Sequence, residues 1–464
     1  MSDRNETPLP RAADAPRDAR TEAVLDRIAA AGSTRFGTGE HGLDLVRIDA
    51  AGATLAQRID PEAPAPAWWD PECGGLNLAD AVLDRARMEG ANLSAANLRR
   101  ANLSGAVGRS ATFAGANLEE ADLGEADLSG TDFRGIVAGQ ASFREAMLED
   151  ARFDDAALRF AKFPQALLDG ANFSGADLWG ADFTGADADD TSFKGARLDE
   201  ADLSDVNLTH ADFEGASLTK ARLVGSRLRG ANLSNVKLDG ADLSGADLSE
   251  TSLVRLNFVT CKLHHARFAG AWLNGTRMRI EQLGGMVGEE AAGDYAGAQA
   301  SYLALEQNLK SIGSHDEASW AYKRGRRMGR FEAGEKTRAA WTARDGRAFL
   351  RHGYRWTSDR FVEWLCDYGE SLSRIARAFA ILIVVFAVLF GFAGGLIPDG
   401  STEPTRNAVD WLSYSALNMM TANPPEIGVK PIGRFTNLLV GIEGAAGIIL
   451  MGLYGFVLGN RLRR

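Results

Sequence analysis

The sequence predicts a long solenoid coil, then a helical neck, then a membrane hairpin of two helices. Three observations predict this. Residues 76–280 repeat a five-residue unit with no slip of phase, helical spacing takes over after Met278, and two membrane-length apolar runs, 378–397 and 435–458, lie near the end. The 464 residues suffice for two or three domains. A net charge of −11 argues against non-specific nucleic-acid binding as the main role.

Residues 1–37 read as a disordered tail, and "MSDRNETPLPRAADAPRDAR" has no apolar core of the kind a secretory signal needs. Residues 38–75 read as a capping segment and linker. "HGLDLVRIDAAGATLAQRI" alternates and turns at Ala-Gly, as a short hairpin or first coil would. "PEAPAPAWWD", 61–70, is a stiff connector whose Trp68 and Trp69 would pack on the rod end. Some such cover is needed, because an open coil exposes backbone edges at both ends. Cys73, Cys261 and Cys366 lie far apart, which suggests neither a disulfide framework nor a zinc site.

The repeat itself is A(D/N)LxX, as in "ANLSAANLRRANLSG" and "ADLSGADLSETSL", and centres from 78 to 278 make 41 units. Five residues of α-helix turn through about 500°, so successive leucines share no face. In a straight strand an odd period puts them on opposite faces. The chain must therefore bend once per unit, with Leu or Phe inward and Ala where the backbone crowds. These residues resemble the pentapeptide-repeat proteins, which implies a right-handed quadrilateral β-helix with four units per coil. At roughly 4.8 Å per coil, about ten coils give a rod of about 50 Å. Gly108, Ala138 and Ala188 stand in for the central Leu/Phe and leave less side chain in the core. Between 76 and 280 there are 30 Asp/Glu and 22 Lys/Arg. Some members of the family imitate DNA with an acidic rod and occupy gyrase; a surface only mildly negative makes that reading the less favoured one here. No catalytic, cofactor-binding or metal-ligating pattern appears, Cys261 falls on an inward position, and His264 and His265 read as surface residues.

Residues 281–377 read as a cytoplasmic helical neck. "AQASYLALEQNLKSIG" sets Tyr302, Leu303, Leu305 and Leu309 at helical spacing and ends at Gly313. Ser314 and Glu317 read as a capping box for the next helix. The pair resembles half of a tetratricopeptide unit, which at this size implies a spacer or collar. Lys323–Arg355 carries eleven Lys/Arg against three Asp/Glu. Arg324, Arg326, Arg327 and Arg330, with Arg374 and Arg377 at the start of the first span, are either a solvated face or contacts to anionic lipid headgroups.

Residues 378–464 form the membrane module. Positive charge flanks the outer ends of both spans, Arg374 and Arg377 on one side and Arg461, Arg463 and Arg464 on the other, which places both termini in the cytoplasm. Between the spans, 410–420 has the spacing of a short helix with Trp411, Leu412, Ala416, Leu417 and Met420 on its apolar side. Helix, short re-entrant helix, polar segment, helix is similar to the two-helix pore module of the potassium-channel superfamily. Together with "YGESLSRIARAFAILIVV" and "RFTNLLVGIEGAAGIIL" it resembles a group of bacterial pentapeptide-repeat proteins carrying such a module. That likeness implies a homotetramer in the bacterial inner membrane conducting monovalent cations.

The sequence departs from that family at the filter. Thr421 matches, but Ala422, Asn423, Pro424 and Pro425 follow where glycines would be needed, and prolines prevent a ladder of stacked carbonyls. An ion path here would be lined by side chains, with Asn423 as a constriction and Glu426 as a cation-attracting mouth before Gly428. Glu426 as an ordinary loop carboxylate is the other reading. Glu443 sits inside the second span, where a carboxylate must face protein or water. It either braces the short helix or faces the conduction path. Gly441, Gly444 and Gly447 around it permit close helix approach. Two functions follow from these residues: a cation-channel-like protein with a cytoplasmic scaffold rod, or a non-conducting membrane anchor whose rod recruits a protein partner. No enzyme is expected.

Overall fold

The computed structural model describes residues 64–65, 68–421 and 428–462, the side chains of 460–462 excepted. The expected tail, 1–37, and the expected hairpin or first coil lie outside the described residues. The chain divides into two compact units, 1–312 and 313–464.

In the first unit the chain turns a corner at every repeat. Ala81 N–H donates to the Leu78 carbonyl across one such corner (3.1 Å), and the residue before it, Asp80, has φ +58°. This is a turn with a left-handed third residue, the place glycine fills at no steric cost. Gly130 (φ +65°) does so, but Ala95 (φ +59°) does not. Ala95→Gly is therefore expected to raise stability by about 0.5 kcal/mol, relief of the left-handed strain outweighing the extra freedom of the unfolded chain. The check is a small upward shift of the unfolding midpoint.

Four corners complete a coil. Parallel bridges join one residue of nearly every unit to its counterpart twenty further on, from Asn77–Asn97 to Asn257–Arg277. Inward N–H groups donate to the next coil, Leu78 N–H to the Asn97 carbonyl at 2.7 Å. The result is a four-sided β-helix. A period of twenty stacks like on like, so Phe113, Phe133, Phe153, Phe173, Phe193 and Phe213 form one column with centroids 4.6–5.3 Å apart. Phe143, Phe163 and Phe183 form a second column, stacked at 4.8 Å. The two columns meet edge to face at 5.6–6.0 Å, the arrangement aromatic quadrupoles favour.

Where a unit has Thr in place of Ala, the hydroxyl bonds inward: Thr191 Oγ1 donates to the Leu168 carbonyl (2.8 Å) and Thr251 Oγ1 to that of Leu228 (2.8 Å). Cys261 imitates them, its Sγ 3.0 Å from the Leu238 carbonyl. Burial pushes this thiol up to about 12 from 9.0. The proton is held more tightly in the folded chain, so this contribution to stability is intact below pH 9 and lost as pH rises through the folded value. The space expected beside Gly108 is closed by its neighbours, since even a Cβ there would lie 3.0 Å from Leu128 and 3.7 Å from Met88.

Both rod ends are covered. At the start, β1 (Trp69–Asp70) pairs antiparallel with β2 (Gly75–Leu76), and Asn97 Nδ2 donates to the Asp70 carboxylate. At the other end come a 3-10 turn (Ile280–Leu283), α1 (Gly288–Ala291) and α2 (Tyr295–Ser311). Gln282 Nε2 donates to the carbonyls of Phe258 and Cys261, both at 2.6 Å. Buried Glu289 takes up the N–H groups of Phe268 (2.9 Å) and Ala269 (3.0 Å), and Ser301 donates to the same oxygen. Asn308 acts as a peptide mimic: its Oδ1 accepts from Thr276 N–H (3.1 Å) and its Nδ2 donates to the Thr276 carbonyl (2.9 Å). The neck expected over 281–377 is therefore divided. Tyr302, Leu305 and Leu309 are buried on the rod side of the division, and Leu303 is exposed. Asn308→Ala strands the buried Thr276 carbonyl, while Thr276 N–H keeps its bond to the Leu273 carbonyl (2.8 Å), for an expected loss of about 1.5 kcal/mol. Amide exchange at Thr276 should quicken while Phe268 and Ala269, still held by Glu289, stay protected.

The second unit opens with α3 (His315–Thr342) and α4 (Gly346–Cys366), an antiparallel hairpin. Ser314 sits at the N-cap of α3, but its hydroxyl donates to Glu317 Oε2 (2.6 Å) and no backbone cap forms. The two helices expected to form half a tetratricopeptide unit fall in different units: α2 packs on the rod in the first, and α3, 28 residues long, packs along α4 in the second. After a left-handed turn at Asp367 (φ +50°) and Tyr368 (φ +59°) comes α5 (Leu372–Ala393). It starts earlier than the expected 378 because Ser371 Oγ caps it by accepting from Arg374 N–H (3.3 Å). It stops before the expected 397 because Gly394 turns left-handed (φ +57°) and Leu396–Pro398 becomes β3. The remaining elements are α6 (Ala408–Thr421), β4 (Val429–Pro431), paired antiparallel with β3, and α7 (Arg434–Leu462).

Candidate functional site

The site is the short helix α6 and the two long helices that hold it. Asn407 starts α6, its Oδ1 accepting from Val409 N–H at 3.0 Å. Trp411 lies against Gly391 of α5, where a Cβ would contact its ring, and its Nε1 donates to the Thr405 carbonyl (3.0 Å). Tyr414 is fully buried and meets Phe390 of α5 edge to face at 5.5 Å. On the other side a Cβ at Gly447 of α7 would overlap the Met419 carbonyl, so glycine is what lets α6 approach. At Gly441 nothing lies within 4 Å, so that glycine makes no such contact.

Glu443 of α7 is fully buried and ties the three helices together. Its Oε1 accepts from the Ser415 hydroxyl, and its Oε2 from Asn418 Nδ2 at 2.7 Å. The Ser415 hydroxyl also lies 2.9 Å from the Ile383 carbonyl of α5, so one proton is shared between two acceptors. Asn418 Nδ2 reaches the Val440 carbonyl as well (3.1 Å). Among the described residues, Tyr414 Oη and Asn418 Oδ1 are buried without a hydrogen-bond partner beside this carboxylate. Sequence reasoning singled out Glu443 and missed Ser415, Asn418 and Tyr414. The signal for them was the three- and four-residue spacing of polar groups on one side of α6.

Thr421 ends α6, its Oγ1 bonded to the Leu417 carbonyl (2.7 Å). Gly428, with φ +76°, begins the return to β4. Ala422, Asn423, Pro424, Pro425 and Glu426 lie outside the described residues.

The arginines considered for lipid headgroups are largely engaged elsewhere. Arg326 pairs with Asp359 (2.6 Å), Arg327 with Glu363 (2.8 Å), and Arg330 with Glu363. The Arg330 side chain is 9 % exposed, too buried to reach a headgroup. Arg374 lies 3.5 Å from Asp367, and its Nη1 donates to the Glu363 carbonyl at 2.7 Å. Arg324 stacks over Trp320 with its guanidinium 5.7 Å from the ring centre. Arg377 lines a shallow apolar surface with Ile381 and Val384 on α5. The acids that hold these arginines, Asp359, Glu363 and Asp367, follow one another at four-residue spacing and face α3. Counting charge along the chain could not show which face they occupy.

On the rod, Asp189, Asp190 and His210 come together at one corner, with His210 Nδ1 3.5 Å from Asp189 Oδ1. Asp190 and His210 are exposed and Asp189 is half-buried, its Oδ1 without a hydrogen-bond partner among the described residues.

The model of the family described as pentapeptide repeats matches eight overlapping copies over residues 73–205 and 207–279. Among solved structures, the chain is similar to HetL, a pentapeptide repeat protein involved in heterocyst differentiation regulation from the cyanobacterium Nostoc. The identity is 24%, over 55% of this chain and 92% of HetL, with a TM-score of 0.29. It is similar also to the plasmid-mediated fluoroquinolone resistance protein QnrB1, at 21% identity over 44% of this chain and 97% of that one (TM-score 0.22). A pentapeptide repeat protein of the Arabidopsis thaliana thylakoid lumen is 32% identical over 26% of this chain and 66% of its own (TM-score 0.13). No curated protein matches the chain. Two of its helices, Leu372–Ala393 and Arg434–Gly459, are long and apolar enough to cross a membrane. Residues 73–279 are pentapeptide repeats, wound into a four-sided β-helix that serves as the chain's scaffold domain.

Proposed function

We propose that residues 372–462 form a membrane hairpin that assembles in several copies around a cation path, with the repeat rod as its cytoplasmic scaffold. The observation that carries this reading is the short helix α6 wedged between two apolar helices by a buried carboxylate. A simple membrane anchor has no use for such a wedge. Support for the bilayer comes from burial. A core helix of a soluble protein hides its apolar residues, but the most apolar windows of α5 and α7 are only 28% and 33% buried. Phe392 (87% exposed) and Ile449 (67% exposed) would face lipid or a neighbouring copy.

One hairpin cannot enclose a pore, so the path lies on an axis shared by copies. The C-terminal end of α6, at Thr421, carries the negative end of the helix dipole, which favours a cation beside it. The segment that follows carries Asn423 and Glu426, and its two prolines make a selective carbonyl ladder unsuitable, so weak discrimination among monovalent cations is expected. The test is reconstitution of the full chain in liposomes, with subunit number and currents under bi-ionic conditions. Cation current from an oligomer, reduced several-fold by Glu426→Ala, supports the reading. An assembled oligomer that passes no current at any voltage overturns it in favour of the anchored scaffold.

A further inference from the structure

The helix α4 is built inside out. Its acids turn inward onto α3: Asp359 is buried against Arg326, and Glu363 is held by Arg327 and Arg330. Its outward stripe is apolar, with Leu350, Tyr354, Phe361 and Trp364 at 70, 76, 57 and 40 % exposure. These positions are spaced four, seven and three apart, which keeps them on one side of a helix. Arg347, Arg351, Arg355 and Arg360 are all exposed, and no exposed acid lies between Gly346 and Cys366. Trp341 (70 % exposed), packed on Phe349 at 5.5 Å, extends the stripe to the hairpin tip.

We propose that this outward face of α4 lies in the headgroup layer of an anionic bilayer. The inference rests on α5 crossing the membrane, and α5 follows α4 after a single turn at Asp367–Gly369, so the end of α4 already sits at the interface. The chemistry fits that place. Tyr and Trp rings settle at headgroup depth, apolar side chains reach the acyl boundary, and arginines lie along the surface and pair with phosphates. Lipid binding is thus moved from the α3 arginines, which hold α4, to the aromatic side of α4 itself. A water-facing neck would leave four large apolar side chains in a row uncovered.

The experiment uses the full-length protein with Cys73, Cys261 and Cys366 replaced, reconstituted into vesicles with and without phosphatidylglycerol. An environment-sensitive fluorophore is attached singly at Tyr354→Cys, at Phe361→Cys, at Val388→Cys on α5, and at Arg338→Cys on the exposed side of α3. The expected result is several-fold stronger quenching by nitroxide lipids than by aqueous iodide at 354, 361 and 388, and the reverse at 338. Quenching at 354 should deepen with phosphatidylglycerol and fall back when Arg351 and Arg355 are both changed to Gln. Lipid quenching at 388 with iodide quenching at 354 and 361 overturns this inference alone. Labels at 354 and 361 shielded from both quenchers, with cross-linking between copies, would overturn it in favour of a second copy of the chain. Iodide quenching at 388 overturns the membrane reading and this inference with it.

Discussion

Glu443→Ala is expected to cost the hairpin about 3 kcal/mol, because it strips the shared acceptor from two buried donors and leaves a cavity between helices. Ser415 would keep the Ile383 carbonyl and Asn418 the Val440 carbonyl, so α6 stays helical and keeps one backbone tie to α7 but loses both bonds to the carboxylate. Glu443→Gln tells the two roles of this residue apart. Its amide oxygen can still accept from Asn418 while its nitrogen donates to Ser415, so a brace survives with a loss of about 1 kcal/mol. If the residue works as a brace, thermal unfolding in detergent and cation current should both follow the order wild type, Gln, Ala. A charge lining the path would instead make Gln as damaging to the current as Ala, with unfolding little changed.

Phe153→Ala should cost about 4 kcal/mol, at the upper part of the range for a buried ring. Phe153 stacks on Phe133 (4.8 Å) and Phe173 (4.6 Å) and meets Phe143 and Phe163 edge to face, so its removal unsupports four other rings. Since each coil touches only its neighbours, the damage should be local. Exchange at the amides of Phe133, Phe153 and Arg152, which bond between adjacent coils, should quicken first. Proteases should then cut near that coil while the N-terminal hairpin stays intact. Phe153→Leu, which keeps most of the volume, is expected to cost about 1.5 kcal/mol.

The rod was legible because its period constrains every unit alike. A Leu or Phe at each third place has only one way to point inward, and ring columns follow from counting in twenties. Its caps were not legible. Glu289 and Asn308 are ordinary polar residues in the sequence, and only the positions of α1 and α2 over the last coil put them under backbone groups of residues 268–276. The pairing of the neck arginines was not legible for a related reason. Composition reports how many charges a helix carries, but Asp359 and Glu363 show that the acidic side of α4 is the packed side. In the hairpin, Glu443 stood out because a carboxylate in an apolar run is costly. Ser415 and Asn418 did not, because small polar residues are commonplace in a short helix.

The join between residue i and residue i+20 makes the rod a ruler with a fixed dial. Excising twenty residues would shorten the scaffold by one rung and return the α2 lid to its old bearing relative to the Trp69 hairpin. Excising five would keep every leucine inward yet turn the lid through a quarter revolution. Evolution can therefore set the length of this chain in coarse steps and its heading in fine ones, by the same kind of deletion.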